Sequence, residues 1–310
     1  MAPTQYAPAS LHRDKEGLGI WEHRGKVAAA GIGFSHIDRR WDERVESSIG
    51  AYALIAAQNA LDDAGISAED VDGLVVVTSG TGDPWLPRPI PEDFARRFQP
   101  TDNPNDGLSM MSVEWMVKNM PGLKNVKVAY HVGSCVSEAL AVGGQMVGDG
   151  LCNTLLVVRA LNNLAGRYQH SSGYSVTIGG QGTQNAEDTA SGRNQWDNPF
   201  GWGHAVAQYA YLFDQYCRKY GSNHDRMAPF ILNQRRNGRM CPEGYYYQHP
   251  EVPLTAEDYL GSRWIVKPAC LHDCDRPIQT SICFLYTTAE RAKDMKQEPV
   301  YLLNHISNRP

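Results

Sequence analysis

Apolar residues fall into two kinds of block along this chain. Short, nearly continuous runs bounded by Gly, Ser or Asn occupy 26–35 (KVAAAGIGFS), 70–80 (DVDGLVVVTSG), 125–132 (NVKVAYHV) and 153–163 (NTLLVVRALNN). Runs of this length predict strands, and the Val- and Leu-rich ones predict strands buried on both faces of a parallel or mixed sheet. Between them lie longer segments of helical period. In 47–65, Tyr52, Ile55, Ala56, Asn59 and Ala60 share one face and Gly65 ends the pattern. Segment 107–120 predicts another helix, and 134–147 a helix of small residues. Alternating strands and helices predict an α/β layered fold.

The pattern breaks at 166–198, a stretch rich in Gly, Ser, Gln and Asn. It is too long for a plain connection and reads as an irregular excursion over a site. Two helices follow at 203–221 and 224–238. A third segment, 255–263, opens with Thr255 as N-cap and Asp258 in the place of a capping-box Glu. Runs at 280–288 and 299–306 predict strands. The chain thus divides into a polar arm (1–25), a first α/β unit (26–165), a loop region with helices (166–262) and a last segment (263–310).

Composition narrows the function. The 310 residues carry 42% hydrophobic and 20% charged side chains and a net charge of -5. There is no basic field to hold a phosphate backbone, which argues against nucleic acid. No run of about 18 apolar residues occurs, so no bilayer-spanning helix is expected. The first 26 residues lack the apolar core of a signal peptide. Seven cysteines, an odd number without a CxxC pair, point to reduced thiols and a cytoplasmic location. No metal is expected: Asp273, Cys274 and Asp275 cannot all face one ion from a strand, and Cys270 and Cys274 lack the usual zinc-knuckle spacing. The Gly31–Gly33 pair is too short for a dinucleotide fingerprint.

Several stretches together resemble the thiolase superfamily, above all the sterol-carrier-protein-X type thiolases and the lipid-transfer-protein aldolases of steroid side-chain degradation. They are the first strand with its GIG, the helix ending ALDDAGISAEDVDGLVV, the segment HVGSCVSEALAVGGQMVGDG, the helix YLFDQYCRKYG, and PLTAEDYLGSRWIVKPACLHDCDRPI. The resemblance spans about 26–306. It implies a thiolase-like layered fold of two related βαβαβαββ halves, the second incomplete in this chain, with 263–310 as its start. It also implies a homodimer whose two-fold interface uses a sheet-edge strand near 126–131 or 155–160, and a separate OB-fold/zinc-ribbon partner protein. The second half's catalytic His and Cys are not visible in this sequence.

Two positions depart from the thiolase pattern. The family's nucleophilic Cys sits at a strand-to-helix turn, where the helix N-terminus favours a thiolate. The resemblance implies the spacing of the sterol-carrier type between that Cys and the Gly ending the helix. Counted back from Gly150, it puts Ser134 in the slot ahead of Cys135, which would then pack behind the turn as a small hydrophobe. Where the family has Asn-Pro, this chain has Cys241-Pro242, followed by Tyr245, Tyr246 and Tyr247. Both changes suit a retro-aldol lyase, in which tyrosines move protons and no acyl-enzyme forms. The same triplet also fits a half-buried strand or a dimer contact. A free phenol ionises near pH ~10, so a tyrosine base needs a cation or hydrogen-bond network beside it. The substrate implied is a bulky, possibly steroid, β-hydroxyacyl-CoA, with coenzyme A part of the substrate and no further cofactor. The alternatives are a thiolase using Cys135 and a non-catalytic acyl-CoA-binding subunit. Further candidates are His204, at the start of a helix, as a catalytic group, and His131, Asn163, Arg167 and Tyr168, at strand ends, as substrate-binding groups.

Overall fold

The computed structural model describes residues 21–39, 41–42, 44–77, 90–108, 110–132, 136–161, 205–250 and 253–305. Its first part runs β1 (Val27–Phe34), α1 (Ile49–Ala64), β2 (Gly73–Val77), α2 (Glu92–Arg97), α3 (Val113–Asn119), β3 (Val128–Val132), α4 (Val136–Gly148) and β4 (Thr154–Leu161). Then come α5 (Ala205–Tyr220), α6 (Ala228–Gly238), α7 (Tyr245–Gln248), α8 (Ala256–Leu260), β5 (Trp264–Val266), β6 (Ala269–Cys270), β7 (Thr280–Thr288), α9 (Ala289–Ala292) and β8 (Val300–Tyr301).

Six strands form one sheet in the order β3-β2-β4-β7-β1-β8. Strand β2 pairs in parallel with β3 and β4, whereas β7 runs antiparallel to both β4 and β1. Helix α1 covers one face and α4 the other, so the interior strands lose contact with water on both sides. That double cover is why β2 is GLVVV with every residue buried, and why β4 is apolar except at Thr154 and Arg159. The resemblance puts 280–288 in the second half, but β7 lies inside this sheet, between β4 and β1. Everything from α5 to β6 is therefore inserted between two strands that are neighbours in space.

Glycine sets how closely α1 sits. A Cβ on Gly33 would lie 2.0 Å from the Ala56 carbonyl oxygen, and one on Gly31 would lie 2.4 Å from that of Ala60. The GIG pair thus lets an alanine-faced helix rest directly on the strand backbone. Ser48 caps α1 through its Oγ, which accepts from the Ala51 N–H at 3.3 Å, and Gly65 ends it in the left-handed region at φ 75°.

Several boundaries differ from the sequence expectation. The helix expected over 107–120 starts only at Val113, because Asp106 ties down the preceding turn. Its Oδ1 accepts from the Ser112 N–H at 2.8 Å, and Ser112 Oγ caps the helix by accepting from the Trp115 N–H at 3.0 Å. Helix α2 had no counterpart in the sequence reading. The strand expected over 299–306 is two residues long, paired with Ala28 and Ala29. The helix expected over 224–238 begins as a 3-10 turn, His224–Met227. The expected capping box is present: Asp258 N–H donates to Thr255 Oγ1 (3.1 Å), and Thr255 N–H donates to Asp258 Oδ2 (2.9 Å).

Candidate active site

The tyrosine triplet forms neither a strand nor a loop; it is the single helical turn α7. The chain leaves α6, turns at Cys241–Gly244 with the Gly244 N–H donating to the Cys241 carbonyl at 2.9 Å, and enters α7. Tyr245 and Tyr246 are half-buried and meet edge to face, with centroids 5.5 Å apart. Tyr247 points outward and is 51% exposed. Tyr245 also packs on His249 at 4.6 Å.

Two guanidinium groups converge on this turn. Arg235, from the last turn of α6, lies 3.9 Å above the Tyr246 ring. Arg276, from the segment leading into β7, lies 4.9 Å from the Tyr245 ring centroid and 5.1 Å from that of Tyr246, and its Nη1 donates to the Tyr245 hydroxyl at 3.3 Å. Arg-over-ring geometry of this kind is attractive because the ring face is electron-rich. Burial, reinforced by Arg235, holds the neighbouring His272 below its ordinary pKa, so this imidazole favours the neutral form. Glu243, just before the tyrosines, lines a cavity of about 400 Å³ with Ile32, Gly33 and Phe34 of β1, Asn59, Asp62 and Asp63 of α1, and Lys296. The sequence reading missed both arginines. The available signal was the demand for a cation near a phenolic base, but Arg276 is 31 residues from Tyr245 and no local pattern links them.

His131 stands elsewhere. On the edge strand β3, its Nε2 accepts from the Val113 N–H at 2.9 Å and so caps the start of α3. Ser134, Cys135, Asn163, Arg167, Tyr168 and His204 lie outside the described residues, and α4 begins at Val136, directly after the two nucleophile candidates in sequence. Arg159, the one charged residue in an otherwise apolar run, sits half-buried opposite Val77 and Ile282 near the carboxyl ends of β2 and β4. Ligands gather at such ends in α/β sheets, and that lone cation was a signal the sequence reading passed over.

A second polar group is built on the segment just before Arg276 in sequence. Segment 271–273 is a 3-10 turn rather than a strand, and it turns Asp273 inward. Asp273 Oδ2 meets His224 Nε2 at 2.8 Å and accepts from the Cys270 N–H at 2.6 Å, while Oδ1 accepts from the Tyr259 hydroxyl at 2.7 Å. His224 also stacks on Tyr259 with ring centroids 4.8 Å apart. Burial alone would raise the Asp273 pKa, but the bonds from Tyr259, Cys270 and His224 outweigh it and hold the carboxyl below the usual range. Burial first, then Asp273, pushes the Tyr259 phenol well up. His224 Nε2, Cys270 Sγ and an Asp273 oxygen lie within 4.8 Å of one another, a donor set of the type zinc uses. His224 and Asp273 already bond each other and Tyr259, which makes the group a clamp between the start of α6, α8 and the β5–β6 hairpin.

Among the described thiols, burial raises Cys152 to about 12 and Cys274 to about 11, so both stay protonated near neutrality. Cys241 is exposed.

No family model matches the chain. Two curated enzymes do. The steroid side-chain-cleaving aldolase of Thermomonospora curvata is 25% identical over 281 residues, and the 17-hydroxy-3-oxo-4-pregnene-20-carboxyl-CoA lyase of Mycobacterium tuberculosis is 26% identical over 282. Each match covers 90% of this chain and 61% of the relative, so the chain spans about three-fifths of their length. Among solved structures, the Ltp2-ChsH2(DUF35) aldolase superposes with a TM-score of 0.66 at 23% identity, over 90% of this chain and 60% of that one. The acetyl-CoA acetyltransferase of Syntrophomonas wolfei superposes with a TM-score of 0.53 at 14% identity, over 87% and 66%. The chain has a thiolase-like fold, and along nine-tenths of its length it resembles the steroid side-chain aldolase branch of the thiolase-like proteins.

Proposed function

We propose that this chain belongs to a carbon–carbon lyase that cleaves a bulky β-hydroxyacyl-CoA, with a steroid as the acyl group, by a retro-aldol reaction. The observation that carries the reading is the Tyr245–Tyr246 turn held beneath Arg235 and Arg276, where thiolases have Asn-Pro. Similarity to an aldolase and a lyase of steroid acyl chains supports it. In the reaction a base takes the proton of the β-hydroxyl. The Cα–Cβ bond breaks, its electron pair passes to Cα, and the β-carbon leaves as a carbonyl. The thioester enolate then takes a proton at Cα. Each well-placed N–H donor on the enolate oxygen contributes roughly 2.7–4 kcal/mol, and the backbone of 134–135, directly before α4 in sequence, is the proposed source of one. Coenzyme A enters as part of the substrate, and no separate cofactor is proposed.

Two partners belong to the reading. A second copy of the chain is proposed to pair through β3. Of the two strands considered for that role, β4 is enclosed by β2 and β7, while β3 is an edge with Tyr130 52% exposed. A separate OB-fold/zinc-ribbon protein completes the assembly, supported by the second component in the name of the Ltp2-ChsH2(DUF35) aldolase. The cytoplasm is the proposed compartment; none of the described helices is long and apolar enough to cross a membrane.

The test is incubation of the protein, with its partner where one co-purifies, with 17-hydroxy-3-oxo-4-pregnene-20-carboxyl-CoA, and chromatographic detection of the ketone product. The reading expects Cys135→Ala to keep activity within about tenfold, a barrier change of ~1.4 kcal/mol. An acyl adduct on Cys135 of the wild type, with activity abolished in Cys135→Ala, would replace the lyase with a thiolase. Because Cys241 is exposed, thiol labelling must be mapped by peptide.

A further inference from the structure

We propose that Arg276 is a positioning residue that selects Tyr245, among the three adjacent phenols, as the group that carries the proton. The inference rests on the lyase reading above. Among the described residues, the Tyr245 hydroxyl accepts a guanidinium hydrogen bond, the 3.3 Å bond from Arg276 Nη1. That bond occupies the phenol oxygen as an acceptor and leaves its own O–H to point at a reacting group. As the base, the Tyr245 oxygen carries its negative charge beside a fixed cation, which compensates it at short range. It takes the β-hydroxyl proton as the Cα–Cβ bond breaks and then gives that proton to Cα of the enolate, so one proton is gained and lost per turnover.

The neighbouring groups sharpen the choice. Arg235 engages Tyr246 by its face at 3.9 Å, a contact that fixes the ring without touching its hydroxyl. Tyr247 stands 51% exposed. Arg276 is itself half-buried and spans both half-buried rings, so its orientation is set by the stack it covers. His272, kept neutral by burial first and then by the two arginines, adds no competing charge to the turn. Lysine in place of Arg276 could supply charge but not the planar fork that covers two rings while donating to one oxygen.

Two measurements test this, one of which needs no turnover. Tetranitromethane attacks the ionised phenol, and peptide mass spectrometry reads the order of nitration. Tyr245 is expected to be nitrated before the more exposed Tyr247 in the wild type, and to lose that lead in Arg276→Ala with far-ultraviolet circular dichroism unchanged. Tyr247 nitrated first in both proteins would overturn the proposal. In kinetics with the steroid acyl-CoA probe, Tyr245→Phe and Arg276→Ala are each expected to lower kcat about 100-fold with KM within about threefold. The double variant should be no slower than Tyr245→Phe. Millimolar guanidinium should restore Arg276→Ala at least about tenfold and leave Tyr245→Phe unchanged. Arg236→Ala, on the exposed side of α6, should match the wild type. Full activity in Arg276→Ala, or rescue of Tyr245→Phe as well, would overturn the proposal. A wild type without turnover would sink the lyase reading, and the nitration order would still decide whether Arg276 activates Tyr245.

Discussion

The six-stranded sheet and the region inserted into it are held together by different forces. The sheet's strands β1, β2, β3, β4 and β7 contain one Asp, Glu, Lys or Arg among them, Arg159. Its helices rest on it through alanine and glycine, and its two clusters of buried apolar residues lie on either face. The inserted region has a small apolar core of Ala228, Ile231, Tyr259 and Cys270. What joins its pieces is polar: the His224–Tyr259–Asp273 clamp, the Thr255–Asp258 capping box and the arginines over the tyrosines. Large rings and aliphatic groups remain outside on α5, with Tyr209, Leu212, Tyr216 and Tyr220 all more than half exposed along one face. The sheet is therefore sensitive to shape and nearly indifferent to charge. The insertion is tolerant of shape and sensitive to charge, which is where proton chemistry can be tuned.

The largest effect expected from this contrast is at Gly33. A methyl group there would meet the Ala56 carbonyl at 2.0 Å and the Ala60 nitrogen at 2.4 Å, both backbone atoms of a long helix that cannot step aside cheaply. Gly33→Ala should destabilise by about 3 kcal/mol, at the upper end of overpacking costs. Urea unfolding measures it. Gly25→Ala is the control: nothing lies within 4 Å of its added Cβ, and only the left-handed φ of 70° resists the change. Equal midpoints for the two variants would show that α1 does not depend on close approach to β1.

Next in size is the clamp. Tyr259→Phe removes the donor to Asp273 Oδ1 while keeping the ring on His224, and should cost roughly 1–3 kcal/mol, confined to the insertion. Acid should act on the same place. The folded-state pKa of Asp273 is depressed, so its contribution is complete above the unfolded value of ~3.9 and is lost as pH falls through the folded value. His272 is also depressed, which means the unfolded chain takes up its proton first, so stability begins to fall as pH drops below ~6.5. Both terms have the same sign. Hydrogen exchange by mass spectrometry between pH 8 and 4 should show 224–278 loosening before β2, β4 and β7. Simultaneous loosening of both regions would mean that they form one cooperative unit.

The same contrast explains what could be read from the residues alone. The interior strands announced themselves, because burial on both faces demands unbroken apolar runs, and α1 carried its own cap and stop in Ser48 and Gly65. The placement of β7 did not: its residues say strand, but whether it starts a new sheet or completes an old one depends on contacts with β4 and β1, which are distant in sequence. At the candidate site, the Cys241-Pro242 departure and the tyrosine triplet were visible as a local anomaly. Arg276 and the His224–Tyr259–Asp273 clamp were not, because they are assembled across 31, 35 and 49 positions. The 3-10 turn at 271–273 defeated the argument that Asp273 and Cys274 lie on a strand. A turn stabilised by its own capping aspartate looks, in one dimension, like any short polar run.

The smallest expected effect falls on the edge of the sheet and distinguishes two roles for one residue. His131 was a candidate to line the substrate pocket, yet its Nε2 accepts the Val113 N–H and so satisfies one of the free donors at the start of α3. If capping is its work, His131→Ala should cost about 0.5–1 kcal/mol, the lower part of the range for losing a helix cap. The loss should appear as faster amide exchange at 113–116 and nowhere in the insertion. Asn at this position is shorter and would recover little of it, since the acceptor must reach across from a neighbouring strand. Turnover of the steroid acyl-CoA probe should be unchanged in kcat and KM. A rise in KM of tenfold or more with α3 exchange unaltered would reverse the assignment, placing His131 against substrate and leaving the Val113 N–H to water.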